Sequence, residues 1–286
     1  MNDLDAFDRI RSLTRLVRPI AGLSALACVM AWCSGPSGGG VAPAGSDSAT
    51  TGTLVGDPVN HALPPSINTS PAPTSGDSRR VGGDERASVS GSDGDYRYGP
   101  CRIDTPLPVG YPPPTPPGAI DLKTYPAVRI AEVSGTGGPD RGMNRAFWPL
   151  FNHIKKHDIA MTAPVEMYYT GLGGSGRQQP EAWSMAFLYR TPDLNSPGVE
   201  GSVTVRDAPP VTVLAAGIKG DYSMALVERG RAAIEEFLAA NPQWQVAGDW
   251  RALYYNGPSL MFWNKWAEVQ VPVRPAAQST PGRSDP

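Results

Sequence analysis

The feature that most constrains this chain is a repeated order of elements between Ala127 and Val273. A β-prone run at Ala127–Val133 follows Tyr125-Pro126 and leads through a Gly-rich turn to a helical pattern at Asn144–His157. Two further β-prone runs follow, at Ile159–Tyr169 and Trp183–Tyr189. The same order then recurs: Val211–Ile218, a Gly turn, a helical pattern at Ser223–Ala240, and β-prone runs at Trp250–Tyr255 and Ala267–Val273. Pro126-Ala127-Val128 and Pro210-Val211-Thr212 open the two units at matching places. Two strand-helix-strand-strand units in tandem predict a pseudo-twofold α+β domain, with helices packed on a curved antiparallel sheet.

The helical segments carry the expected apolar stripes. Phe147, Leu150, Phe151 and Ile154 recur at i, i+3, i+4 and i+7, with Asn144 as candidate N-cap and Pro149 as a potential kink. In the second segment Leu226, Ala233, Ile234, Phe237 and Leu238 form the stripe, Glu228 and Arg231 lie on the wet side, and Asn241-Pro242 ends the helix.

Outside the units the composition changes. Arg9, Arg11, Arg15 and Arg18 precede an uncharged, mostly apolar run from Pro19 to Trp32. That run is too short for a helix across a hydrocarbon core of ~30 Å but suits a signal-peptide core. Residues 1–33 are therefore read as a targeting segment and the protein as exported: periplasmic, cell-surface or secreted. A lipid anchor stays open at Cys28 or Cys33, although neither cysteine is preceded by a well-formed lipidation box. Residues 34–97, rich in Gly, Ser, Thr and Pro without hydrophobic periodicity, read as a disordered linker. Residues 98–273 are the folded domain, with a stiff proline-rich stretch from Pro106 to Pro117 lying against it or leading into it, and residues 274–286 a disordered tail. Lys+Arg 25 against Asp+Glu 27 leaves a net charge of -2. No basic excess is available for nucleic acid. Three cysteines, two of them in the leader, supply neither a disulfide framework nor a zinc site within the domain.

The run Ile159-Ala160-Met161-Thr162-Ala163-Pro164-Val165, directly after Ala146–Ile154, resembles the signature of the SOUL heme-binding protein family. Tyr255-Asn256-Gly257-Pro258 and Glu268-Val269 are similar to that family's closing segments. The resemblance implies a distorted antiparallel β-barrel flanked by two helices. It also implies a heme or related tetrapyrrole held non-covalently between the first helix and strands of the C-terminal half. The family's porphyrin-touching helix residues match Phe147 and Phe151. Many members carry Arg-Asn-Glu-Val in the last strand, where this chain has Trp266-Ala267-Glu268-Val269, so the propionate contacts implied by the family are unassigned here.

The residues themselves can supply such a slot, since a planar macrocycle needs apolar walls, aromatic faces and a few rim cations. Phe147, Phe151, Ile154, Met161, Tyr255 and Trp266 are the candidate lining, each also an ordinary core residue. His153 and His157 share a helix face, but two ligands without a convergent carboxylate make a poor metal site. No metal site is therefore expected. Asn152, Lys155, Lys156 and Asp158 place both histidines on the solvated side, and His153 is the first candidate for any axial bond to iron. There is no Gly-x-Ser-x-Gly, no phosphate-binding loop and no His-Glu-x-x-His, so no enzyme is expected. The reading is a monomeric, non-catalytic tetrapyrrole binder for buffering, transport or sequestration, attached to a membrane only through an N-terminal anchor. The alternatives are an effector-binding-like module for amphipathic aromatic compounds, marked by a buried Glu166 or Glu268, and a hydrolase using one cleft carboxylate.

Overall fold

Runs rich in Val, Ile and aromatic residues become strands wherever a neighbouring strand can take up their backbone groups. The computed structural model describes residues 74–276 except 174, 175, 177, 258 and 259. The segment expected to target the chain (1–33), the expected linker up to residue 73 and the expected tail from 277 lie outside the described residues. Apart from Gly257, the described residues belong to one compact unit.

Among the described residues fourteen strands form in chain order. β1 is Asp77–Gly83, β2 Ser90–Ser92, β3 Asp95–Tyr98, β4 Cys101–Ile103, β5 Ala119–Tyr125, β6 Val128–Thr136 and β7 Val165–Thr170. β8 is Ala182–Leu188, β9 Gly198–Glu200, β10 Val203–Ala208, β11 Val211–Lys219, β12 Trp244–Val246, β13 Trp250–Tyr254 and β14 Trp266–Pro275. Helix α1 is Pro139–Lys156 and helix α2 is Met224–Ala240.

The large sheet is antiparallel at every pairing and runs β1-β5-β11-β14-β13-β7-β8-β6-β10-β9, with β12 paired to β14; β2-β3-β4 form a small second sheet. The order is symmetric about the β13–β7 pair. Reading outward, β13-β14-β11-β5 on one side matches β7-β8-β6-β10 on the other. The predicted duplication is therefore present, and each unit lends its leading strand to the other: β5 pairs with β11 and β10 with β6. The barrel is not. The sheet is open, with β1 and β9 at its two ends.

Three sequence boundaries move for local reasons. The linker gives way at Asp77, because β1 pairs with β5 and Arg80 bonds buried Asp121 at 2.6 Å. Ile159–Pro164 leaves the ladder expected from Ile159: the Ala163 N–H donates to the Pro106 carbonyl and the Thr162 hydroxyl to the Leu188 carbonyl, while Pro164 has no N–H to give. Helix α1 starts at Pro139, not near Asn144, with Pro at a position where its missing donor costs nothing, and it continues through Pro149. Gly142, the last glycine of the run read as a Gly-rich turn, lies inside the helix against Trp183; a Cβ there would sit 1.9 Å from the indole. Gly230 plays the same part in α2, where a Cβ would lie 2.5 Å from Val269. Both helices thus approach the matching strands β8 and β14 through a glycine.

The proline-rich stretch lies against the sheet as a strap. The Thr115 N–H donates to Glu268 Oε1 and the Trp266 indole N–H to the Thr115 carbonyl, both at 2.7 Å. Gly217 gives the strap room, since a Cβ there would meet the Pro116 carbonyl oxygen at 2.2 Å.

Candidate functional site

The six lining residues expected from the sequence separate into two groups. On α1, the Phe147 and Phe151 rings stack at 5.9 Å and 11°, Phe147 meets Phe187 of β8 edge-on at 5.4 Å, and Trp148 stands edge-on to both phenylalanines with 40% of its surface exposed. Phe147 and Ile154 are buried, while Phe151 and Met161 are half-buried. Tyr255 and Trp266 belong to a different cluster, packed with Tyr96, Cys101, Ile103, Leu107 and Tyr125 and including none of the α1 residues. Their polar atoms are committed: the Tyr255 hydroxyl donates to Glu268 at 2.7 Å and the Trp266 indole to the strap. Tyr255 and Trp266 therefore hold the core and are not a second wall for the α1 patch.

His153 is buried, contrary to the solvated side expected for it. Its Nδ1 faces Glu200 Oε2 at 3.0 Å and its Nε2 the Tyr189 hydroxyl at 2.9 Å, so the ring is turned toward these two partners, and an axial bond to heme iron would require one of the contacts to give way. Burial lowers its pKa, against the opposing pull of Glu200. The exposed His157 also reaches Glu200 Oε2, at 2.7 Å. Glu200, on edge strand β9, is held down to about 2, first by its bond to Lys156 and then by His157. The convergent carboxylate that the sequence did not reveal is thus supplied from 43 residues beyond His157.

A buried polar network crosses the centre of the sheet. Lys123 Nζ donates to Glu268 Oε1 at 2.8 Å and to the Pro113 carbonyl at 2.7 Å. Gln270 donates to Glu268 Oε2 at 2.6 Å and to the Tyr125 hydroxyl at 2.8 Å, and accepts from Arg251 Nε at 2.9 Å. Arg251 continues to the Tyr168 hydroxyl at 3.2 Å, and that hydroxyl donates to Glu166 Oε2 at 2.6 Å. Burial lowers the Lys123 pKa, against the pull of Glu268, and raises those of the Tyr125 and Tyr255 hydroxyls; the Tyr255 hydroxyl donates to Glu268, and that of Tyr125 accepts from the Gln270 amide. Both acids expected to mark an effector pocket are buried, yet each faces an internal cation: Lys123 for Glu268, and Arg251 at 3.6 Å for Glu166. The adjoining cavity, lined by Tyr111, Tyr125, Tyr168, Arg206 and Arg251, holds about 40 Å³, room for water but not for a macrocycle. A sequence signal for the network existed in the period-two pairs Glu166/Tyr168 and Glu268/Gln270 and the triplet Asp121/Lys123/Tyr125, which put polar groups on one face of a strand.

A groove of about 730 Å³ is lined by α2, the β5–β11 pair and Pro117-Gly118. Tyr98, Ile120, Ala216, Ile218, Ala233 and Phe237 give it apolar walls; Lys219, Arg229 and Glu236 also line it and are exposed. The volume lies in the range of small-molecule and cofactor sites. Among the lining residues Tyr98 carries a phenol oxygen, a group that ligates heme iron in some proteins. The sequence signal was the width of the α2 stripe: Ile234 is buried on the sheet, whereas Ala233, Phe237 and Leu238 stay half-buried, and the first two face the groove.

Among curated protein sequences no match is found. Solved structures similar to this chain include the EcmrR C-terminal domain, at 15% identity over 55% of this chain and 98% of that one, TM-score 0.46. An uncharacterized conserved protein from Listeria innocua matches at 13% identity over 56% and 94%, TM-score 0.43. A hydrolase from the same organism matches at 14% identity over 56% and 94%, TM-score 0.42. A family model described as SOUL heme-binding protein matches residues 115–272, more than half of the sequence, and the chain belongs to the SOUL heme-binding protein family.

Proposed function

We propose that this protein binds heme or a related tetrapyrrole, non-covalently and without catalysing a reaction on it, in the groove lined by α2 and the β5–β11 pair. The observation that carries the reading is the groove itself, about 730 Å³ with apolar walls and the exposed cations Lys219 and Arg229 in its lining. Apolar walls remove the faces of a macrocycle from water, and exposed cations match its carboxylates. Tyr98 would supply the axial oxygen if the iron takes a protein ligand, and Phe237 would lie against the ring. Buffering, transport or sequestration outside the cytoplasm is the role that suits a binder of this kind.

A second placement, on the α1 patch, is favoured by the stacked Phe147–Phe151 pair beside exposed Trp148. The effector-like reading fares less well, since both buried acids already have cationic partners and add no net charge for a cationic ligand.

Absorbance titration of the full chain with hemin and with metal-free protoporphyrin tests the reading. Saturable one-to-one binding of both, lost in Phe237→Asp and retained in Phe151→Asp, is the expected result. Loss in Phe151→Asp with retention in Phe237→Asp would move the site to α1. Absence of saturable binding by the wild-type chain would overturn the function.

A further inference from the structure

At the far end of α1 from Pro139, three side chains that could hold a metal ion converge from two elements distant in sequence. His153 and His157 are one helical turn apart, so their rings lie on the same face with centroids 4.6 Å apart. β9, held at the sheet edge by β10, brings Glu200 against both rings. The donor atoms of the three residues all lie within 4.8 Å of one another. Bonds of 2.0–2.1 Å to a tetrahedral zinc ion place neighbouring donors about 3.3 Å apart. His153 Nδ1 and His157 Nε2 stand at 3.0 and 2.7 Å from Glu200 Oε2, so modest separation of the carboxylate from the rings makes room for a cation.

We infer that His153 Nδ1, His157 Nε2 and Glu200 form a binding site for a divalent transition-metal cation of the zinc type, with a remaining coordination position open to water. Three features beyond proximity support the site. The donor set, two imidazoles and one carboxylate, is one that zinc accepts while retaining an exchangeable position. The orientation of His153 is fixed from behind: with a cation on Nδ1, the proton resides on Nε2 and is donated to the buried Tyr189 hydroxyl, 2.9 Å away, the outer partner that metal-bound histidines commonly have. The two sides of the site differ in exposure, since the His153 side chain is 3% exposed while those of His157 and Glu200 are 32% and 39% exposed, leaving an entry path from solvent. Lys156 bonds Glu200 through Oε1, the oxygen turned from the histidines, and so orients the carboxylate while its charge moderates affinity for a cation.

The site involves none of the groove residues and is testable apart from heme. The metal-free full chain would be titrated with Co²⁺ and then with Zn²⁺. One equivalent of Co²⁺ should bind with visible d–d bands, and one equivalent of Zn²⁺ should abolish them. His157→Ala and Glu200→Gln, both on the exposed side, should each weaken binding about tenfold or more, since loss of even an outer partner commonly costs that much. Unfolding midpoints without metal would show that both variants remain folded. Absence of one-to-one binding would overturn the assignment. So would unchanged affinity in both variants, which would place the cation elsewhere in the chain.

Discussion

Replacing Lys123 by Met probes the buried network where it is least tolerant. Lys123 and Glu268 are both fully buried, 2.8 Å apart, on strands separated only by β11. Removing one member of a buried ion pair typically costs ~3–5 kcal/mol, because the remaining charge keeps its desolvation penalty without its partner. Glu268 would not be wholly abandoned: the Thr115 N–H, the Tyr255 hydroxyl and the Gln270 amide still donate to it at 2.7, 2.7 and 2.6 Å. That argues for the lower end of the range. The bond from Lys123 to the Pro113 carbonyl is also lost, adding about 1 kcal/mol and loosening the strap. The expected loss is therefore about 3–4 kcal/mol, a large share of the ~5–15 kcal/mol that holds a domain together. Urea unfolding at neutral pH, followed by tryptophan fluorescence, reads it directly. The double variant Lys123→Met/Glu268→Gln should recover at least about 1 kcal/mol, since it replaces the stranded charge by a neutral acceptor. A Lys123→Met protein that loses less than about 1 kcal/mol while keeping its fold would refute the claim that this pair is desolvated and interdependent.

Gly230→Ala should lower stability by about 1 kcal/mol even though alanine favours a helix by about that amount over glycine, because its Cβ would lie 2.5 Å from fully buried Val269 and overpacking costs ~1–3 kcal/mol. A higher thermal midpoint would show that α2 can move away from β14. A chain beginning at Asp95 should unfold at lower temperature than one beginning at Thr74. It would lack β1, leaving β5 at the sheet edge and buried Asp121 without Arg80. Equal midpoints for the two truncations would show that β1 adds no stability.

The repeat of β-prone and helical segments was readable because hydrophobic periodicity and turn residues are local properties, and it led to two units around a pseudo-twofold axis. The helix cores followed from the stripes at Phe147–Ile154 and Leu226–Leu238. The start of α1 did not, because Gly142 is permissive of a turn in isolation and becomes a helix contact only where Trp183 packs against it. Strand β1 was concealed in a polar stretch, since DSRRVGG has little apolar pattern and is ordered by pairing with β5.

Of the candidate lining, Phe147 and Phe151 do come together, as their spacing of four on a helix requires. Tyr255 and Trp266 pair with each other in a separate cluster, and their distance from α1 could not be read from sequence order. Sequence by itself determined the family, the two-unit order and the apolar stripes of both helices, all consequences of short-range spacing. Only the tertiary structure decided whether the sheet closes, which cations neutralise Glu166 and Glu268, where a groove remains open beside α2, and that Glu200 meets His153 and His157. Each of these depends on strand order and long-range pairing, which bring together residues that no local pattern relates.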